Sequence, residues 1–228
     1  MTHVISGDST RRTYAVEAGG AATESMGGVA VIALTIIALA GVLRPVLTEI
    51  AGIVFGAAFI IEGAALAARH ASIMEQAGSD SGVDQLELGG GISVELVTGI
   101  AAITLGILSL VGVASNILMP VLVITGGAGL ILSAGALQRL NDMRSDLLGI
   151  GRAERAIASS AVSSAAAGQV LAGLGAGTLG ILALVGVGDP ILLTAVGVLV
   201  LGSAITLSGT ALSGKMLNLF RHSSRFAR

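Results

Sequence analysis

Long apolar runs alternate with short polar segments along this chain, and their length predicts helices that cross a membrane. The predicted spans are residues 22–42, 46–68, 92–113, 117–138, 164–187 and 190–213. Short turns join the spans in pairs, and longer polar segments separate the pairs. We therefore expect an all-α polytopic membrane protein in which six transmembrane helices form three helical hairpins.

The three predicted hairpins share one sequence pattern, which indicates an internal repeat. Each begins with a 15-residue apolar segment that ends in Leu-x-Gly-Val, namely residues 28–42, 99–113 and 173–187. The three prolines of the chain follow these segments and mark the hairpin turns: Pro45, Pro120 and Pro190. Proline is tolerated at a helix start, because the first N–H groups of a helix have no helical partner. We expect the hairpins to superpose, with the turn glycines at equivalent positions: Gly41, Gly112 and Gly186.

The segments between the hairpins complete the predicted organisation. The hairpins occupy residues 22–70, 92–138 and 164–213, between an N-terminal segment at 1–21 and a basic tail at 214–228. A Ser/Gly/Asp-rich linker at 71–91 is expected to be the longest loop. The mixed-charge linker at 139–163 is expected to extend a helix into the fifth span. Asp189 is expected to cap the sixth helix, with Pro190 at its first position.

Composition supports a membrane protein and excludes several classes of function. Hydrophobic residues make up 54% of the chain and charged residues 11%, which excludes an ordinary soluble domain. There is no cysteine, so disulfides and thiolate chemistry are excluded. Neither a metal-binding histidine pair nor a phosphate loop occurs, so we expect no enzyme, cofactor or metal, and no nucleic-acid partner. The 34 glycines are expected to let helices pack closely.

Arginine and lysine predict the orientation of the chain in the membrane. In the six-span scheme, eleven of the twelve basic residues lie on the side of the termini and linkers. Only Arg44 lies on the side of the hairpin turns. Cytoplasmic loops carry the excess of basic residues, so both termini are expected to be cytoplasmic.

Glu62 is the candidate functional residue that lies deepest in an apolar segment. A charge in the bilayer interior costs several kcal/mol, so we expect this carboxyl to be neutral or to exchange protons. The hairpin alignment through Gly63 and Gly209 pairs Glu62 with Ser208. One interpretation is a protonated carboxyl that bonds to a neighbouring helix or faces a bound subunit, and the other is a proton or ion relay. In either case we expect Glu62 to face protein rather than lipid.

Other polar residues at the span ends are further candidates. Glu49 is expected to form an ion pair with Arg44 at the membrane surface. Glu24, Glu95 and Gln169 lie four residues before the apolar segments of the three hairpins. The helix dipole favours carboxylates near a helix start. Alternatively, these three side chains meet around a pseudo-threefold axis and bind a cation or solute through oxygen. Threonines and serines within the spans are expected to bond back to helix carbonyls.

The segments GIAAITLGILSL at 99–110, GLGAGTLGILAL at 173–184 and the more divergent GVAVIALTIIAL at 28–39 carry a family resemblance. Followed by proline and a small-residue helix, they resemble the HdeD-like acid-resistance membrane proteins. The resemblance covers most of residues 22–213. It implies a six-span protein of the prokaryotic cell (inner) membrane with a link to acid or stress response, and it supplies no catalytic residues.

These observations lead to two functional hypotheses. The first is a non-enzymatic integral membrane protein with a structural, assembly or stress-protective role, whose partners are the lipid bilayer and other membrane subunits or a second copy of itself. The second is a small proton-coupled transporter or channel that uses Glu62, with Glu24 and Glu95 at its cytoplasmic mouth.

Overall fold

The computed structural model describes residues 25–77, 85–147 and 152–223, and within them the chain forms helices and short turns without a strand. The helices are α1 Ser25–Leu39, α2 Arg44–Ala77, α3 Gln85–Leu110, α4 Ser115–Leu147, α5 Arg152–Val185 and α6 Pro190–Ser223. The predicted all-α fold is confirmed.

Four of the described helices are long and apolar enough to cross a membrane. The qualifying segments are Arg44–Ala65, Ser115–Gly135, Ala166–Val185 and Pro190–Gly209. The apolar segments Ser25–Leu39 and Val94–Leu110, in α1 and α3, are shorter than the other four. The prediction of membrane helices is therefore supported, whereas the count of six spans is supported only in part.

The end of α2, the start of α3 and the start of α4 differ from the prediction. Residues 71–91 were expected to form a loop, but α2 continues to Ala77 and α3 begins at Gln85. Residues 71–77 contain several good helix formers and no proline, so nothing in the sequence ends α2 at the membrane surface. Pro120 was expected near a helix start, but it lies inside α4, which begins at Ser115. The missing N–H of Pro120 leaves the Asn116 carbonyl without its usual helical donor.

The Leu-x-Gly-Val sequences end α1, α3 and α5 with the same backbone turn. The turn glycines have positive φ angles of 96°, 91° and 78°: Gly41, Gly112 and Gly186. The valine N–H that follows each glycine bonds to the carbonyl five residues before it: Val42 to Ile37 at 3.3 Å, Val113 to Leu108 at 3.0 Å and Val187 to Leu182 at 3.0 Å. This is the Schellman arrangement, in which glycine adopts the left-handed conformation that other residues avoid.

The helix that follows each turn starts on an N-cap. The carbonyls of Leu43, Ala114 and Asp189 accept the first helical hydrogen bonds of α2, α4 and α6. Asp189 also accepts bonds through Oδ1 from the N–H groups of Ile191, at 3.0 Å, and Leu192, at 3.3 Å. The predicted cap at Asp189, with Pro190 as the first residue of α6, is confirmed.

The six helices form a closed ring around a core. Each helix packs against its neighbours in chain order. The first helix, α1, also packs against the last, α6, since a Cβ added at Gly202 would lie 2.6 Å from Val31 Cγ1. The helices α2, α4 and α6 also contact one another, so they line the centre of the ring. All three hairpins run in the same direction, because the starts of α2, α4 and α6 surround one cavity. We call this end of the bundle the turn end and the opposite end the linker end.

Apolar side chains fill the centre and cover the outside of the bundle. Most of the fully buried large residues come from α2, α4 and α6: Phe55, Phe59, Leu122, Val123, Leu130, Val198, Leu201 and Ile205. Large apolar residues are exposed on the outer faces of α1, α3 and α5, among them Val29, Ile36, Val97, Ile100, Leu171 and Leu174. An apolar exterior around an apolar core is the arrangement that a lipid environment stabilises.

Candidate functional site

Four polar side chains are buried at the linker end of the apolar spans, and we call them the carboxyl cluster: Glu62, Glu95, Gln169 and Ser208. They come from α2, α3, α5 and α6. Each lies within three residues of the linker-side end of its apolar segment. Glu62 was expected to lie deeper than Glu95 and Gln169, but the bundle brings all three to one level. The expectation that Glu62 faces protein is confirmed, since it is 6% exposed.

Glu62 accepts the hydrogen bonds that join the cluster. Gln169 Nε2 donates to Glu62 Oε1 over 3.4 Å, and Ser208 Oγ donates to the same oxygen over 3.3 Å. These bonds are long, so each holds the carboxyl only loosely. They connect α2 to α5 and α6, which are far from it in the sequence.

Glu95 lies against the turn of α2 that carries Glu62. The side chain is fully buried, and a Cβ added at Gly63 would lie 3.0 Å from Glu95 Cβ and 3.2 Å from Oε2. The absence of a side chain at Gly63 therefore makes room for the second carboxyl. In the alternative interpretation Gln169 meets Glu95 and Glu24; in the structure Gln169 bonds to Glu62, in the same cluster as Glu95. Glu24 lies outside the described residues.

Ser208 is the member of the cluster that the sequence did not single out as a site residue. The sequence did contain a signal for Ser208, because the hairpin alignment places this residue at the position of Glu62. Its hydroxyl was expected to bond back to a helix carbonyl, and it does so with Ile205 over 3.4 Å as an alternative to Glu62. Glu62 and Ser208, which the hairpin alignment pairs, therefore lie in the same cluster.

Most threonines within the spans behave as the sequence predicts. The hydroxyls of Thr35, Thr104, Thr125, Thr178 and Thr206 each donate to the carbonyl four residues earlier, over 2.7–2.9 Å. Such bonds satisfy the hydroxyl within its own helix. These threonines therefore have a structural role. Ser109, Ser115 and Ser208 differ from them, because their hydroxyls donate to carboxylates.

Glu49 occupies the turn end, where it bonds to two serines. Ser109 Oγ and Ser115 Oγ donate to Glu49 Oε1 over 2.7 and 2.6 Å, and the two hydroxyls lie 2.9 Å apart. Glu49 is only 4% exposed. The serines lie on α3 and α4, so Glu49 joins the first hairpin to the second. Sequence reasoning missed this contact, because nothing local links the three residues.

The expected ion pair between Glu49 and Arg44 is absent. Arg44 instead donates from Nε to the Ala38 carbonyl over 3.4 Å and from its guanidinium to the Leu39 carbonyl over 3.5 Å. A basic side chain at a helix C-terminus complements the carbonyls that have no helical donor. Residues five apart are also rotated by about 140° around a helix, so Arg44 and Glu49 do not share a face.

An apolar barrier separates the carboxyl cluster from Glu49. The rings of Phe55 and Phe59 stack with centroids 5.4 Å apart and an interplanar angle of 18°. Both rings are fully buried together with Leu122 and Leu201. The described part of the bundle therefore holds two polar sites at opposite ends of a filled core.

The carboxyl cluster combines two carboxyls with few hydrogen-bond donors. Among the described residues, no group of three or more His, Cys, Asp or Glu side chains is placed to hold a metal ion. Two carboxyls and an amide supply more acceptors than donors, and none of the residues that the structure describes donates to Gln169 Oε1. A proton on either carboxyl supplies a donor and reduces the repulsion between like charges.

Comparisons with models of protein families, with characterised proteins and with solved structures find no match to this chain.

Proposed function

We propose that this chain is a non-enzymatic integral membrane protein with a structural, assembly or stress-protective role. The observation that carries this proposal is the filled core between the two polar ends. Phe55, Phe59 and Leu122 are fully buried there and pack into one hydrophobic cluster. A closed ring of helices with an apolar exterior suits a protein that acts through its lipid-facing surface, alone or with further membrane subunits.

A proton-coupled transporter or channel is the second candidate, and the carboxyl cluster favours it. Buried carboxyls at membrane depth are costly and mark proton or ion pathways in many membrane proteins. Here Glu62 accepts hydrogen bonds from two neutral side chains, Gln169 and Ser208, and Glu95 packs against the same turn of α2. Transport through this site requires the apolar core to rearrange, because the core closes the route to the turn end.

Replacing Glu62 separates the two candidates. If the carboxyl is structural, Glu62→Gln keeps an acceptor for Gln169 and Ser208, and we expect a change in stability below about 1 kcal/mol. Glu62→Leu removes that acceptor and should cost about 1–3 kcal/mol for each buried donor left without a partner. Thermal unfolding in mild detergent measures both, and size-exclusion chromatography reports whether the protein runs as a single copy, an oligomer or a complex.

The matching functional measurement is proton flux in reconstituted vesicles. Under the structural proposal, vesicles with the natural protein and with Glu62→Gln lose an imposed pH gradient at the same rate as empty vesicles. A gradient that collapses with the natural protein and persists with a folded Glu62→Gln variant contradicts the structural role and establishes the transporter instead.

We also propose that both termini and the linkers are cytoplasmic in a prokaryotic cell membrane. The support is the basic asymmetry, with Arg44 the sole basic residue on the turn side of the six-span scheme. Because the natural chain has no cysteine, single cysteines can be introduced at residues 80 and 115. A membrane-impermeant thiol reagent added to intact cells should label residue 115 and spare residue 80, and the opposite result refutes this orientation.

We further propose that this chain is related to the HdeD-like acid-resistance proteins and that its three hairpins form an internal repeat. The shared turn geometry at Gly41, Gly112 and Gly186 supports one hairpin in three copies. An acid-linked role agrees with the presence of two acidic side chains in one buried cluster. A strain that lacks the protein should then survive acid challenge less well, and restoring Glu62→Gln tests whether the cluster contributes.

A further inference from the structure

A cavity of about 460 Å³ lies at the turn end of the bundle, where α2, α4 and α6 begin. Buried residues line its floor: Thr48, Glu49, Met119, Pro120 and Thr194. Exposed residues line its rim, including Pro45, Asn116 and Ile191. The volume is within the range of small-molecule sites, and the cavity is open at the rim.

Glu49 is the charged residue among the described side chains that line this cavity. Its Oε1 atom accepts both serine bonds, from Ser109 and Ser115. The Oε2 atom receives no hydrogen bond from the described residues. A buried carboxylate that lines a cavity and keeps one oxygen available is a binding group for a hydrogen-bond donor with positive charge.

The hydroxyl groups that line the cavity already donate their protons to other groups of the protein. Thr48 Oγ1 donates to the Arg44 carbonyl and Thr194 Oγ1 donates to the Pro190 carbonyl, each over 2.7 Å. The Ser115 proton is used on Glu49. A hydroxyl has one proton to donate and two lone pairs, so these groups have only lone pairs left for a ligand.

The start of α6 does not make this cavity an anion site. Helix N-termini attract anions through free N–H groups. In α6, however, Asp189 Oδ1 already accepts the bonds of the Ile191 and Leu192 N–H groups. Arg44 does not line the cavity, because its side chain caps α1. Glu49 would repel an anion, so its negative charge and the lone pairs of the Thr48 and Thr194 hydroxyls favour a cation, and Asn116 at the rim adds both a donor and an acceptor.

We propose that this cavity binds a protonated amine that carries a small apolar group. The ammonium donates to Glu49 Oε2 and to the hydroxyl oxygens of Thr48 and Thr194. Its apolar part lies against Met119, Pro120 and Ile191. A bare metal ion would leave most of the cavity empty, and a quaternary ammonium has no N–H group for the acceptors. The ammonium belongs either to a free amine or to the ethanolamine head group of a lipid, and both sources present the same chemistry.

Binding of n-butylammonium to the detergent-purified protein tests this site, with saturation-transfer-difference NMR as the readout. We expect n-butylammonium to receive saturation from the natural protein, whereas n-butanol and tetramethylammonium receive at least about tenfold less at equal concentration. These two probes lack the charge or the N–H group, so the comparison needs no change in the protein. Equal saturation of all three probes, or none for n-butylammonium, overturns the proposal.

Variants then locate the site within the protein. Glu49→Gln keeps the acceptor for both serines and should weaken n-butylammonium binding at least about tenfold, with folding checked by size-exclusion chromatography. Thr194→Val removes one acceptor with little change in shape, and we expect a two- to fivefold loss. The matched control is Thr178→Val, because Thr178 makes the same helical bond on the exposed face of α5. A loss in the control equal to that in Thr194→Val contradicts the assignment.

The source of the ammonium is decided in lipid nanodiscs. If the natural ligand is a lipid head group, native mass spectrometry should detect phosphatidylethanolamine retained over phosphatidylcholine, and Glu49→Gln should abolish the preference. If the preference is absent while n-butylammonium binds, the ligand is a free amine. The apolar core separates this cavity from the carboxyl cluster. The result of the amine-binding experiment is therefore independent of the result of the proton-flux experiment.

Discussion

Substitution of Gly173 by leucine is expected to prevent stable assembly of the bundle. A Cβ added at Gly173 would lie 2.5 Å from the carbonyl oxygen of Gly127, and one added at Gly127 would lie equally close to the Gly173 carbonyl. The backbones of α4 and α5 are therefore in direct contact at this crossing. A backbone atom cannot rotate away as a side chain does, so the helices must separate. We expect a loss of about 3 kcal/mol or more, at the upper end of overpacking effects.

Gly175, two residues from Gly173 on α5, provides a matched control for Gly173→Leu. Nothing lies within 4 Å of a Cβ added at Gly175, which is exposed on α5. Gly175→Leu introduces the same side chain into the same helix, and its higher helix propensity should leave stability unchanged or slightly raised. Thermal unfolding in mild detergent, together with the fraction of protein that elutes as a single species, measures both variants. Equal stability of the two would show that the α4–α5 contact does not hold the bundle together.

Truncation of Phe59 to alanine should give the second large loss, about 3–5 kcal/mol. Phe59 is fully buried and stacks on Phe55. Its ring occupies space that α4 leaves open, because a Cβ added at Gly129 would lie 3.0 Å from Phe59 Cε1. In a membrane this cost comes from lost van der Waals contacts rather than from exposure to water.

Leu132→Ala provides the comparison for the Phe59 variant. Leu132 is 57% exposed on α4, so its truncation removes few protein contacts. We expect a change below about 1 kcal/mol in the same unfolding measurement. If Phe59→Ala unfolds at the same temperature as Leu132→Ala, the centre of the bundle is not close-packed. The barrier between Glu49 and the carboxyl cluster would then be permeable, and the transporter candidate would gain support.

Local sequence features predicted the helices and their ends correctly where the controlling interaction is also local. The glycine in each Leu-x-Gly-Val sequence ends a helix because the left-handed conformation is accessible to it. Asp189 caps α6 through bonds to residues two and three positions away. Pro120 and the loop expected at 71–91 are the exceptions. The helix α4 starts five residues before Pro120 on the Ala114 carbonyl and continues through the proline, and α2 continues to Ala77.

Contacts between distant residues could not be read in the same way. Glu49 was assigned to Arg44 because the two are close in sequence, yet its partners are Ser109 and Ser115 on other helices. Glu62 was correctly expected to face protein, since lipid offers a carboxyl no partner. Its hydrogen bonds to Gln169 and Ser208 depend on how the three hairpins close into a ring.

The sequence by itself determined that the chain is helical, that it is apolar enough for a membrane and that its helices join in three similar turns, because run length and turn chemistry act over a few residues. Only the tertiary structure decided which polar groups meet. The close glycine contact between Gly127 and Gly173 sets how near two helices approach, and small rotations there move a side chain to lipid or to the core. Packing in three dimensions therefore created the carboxyl cluster and the cavity at Glu49.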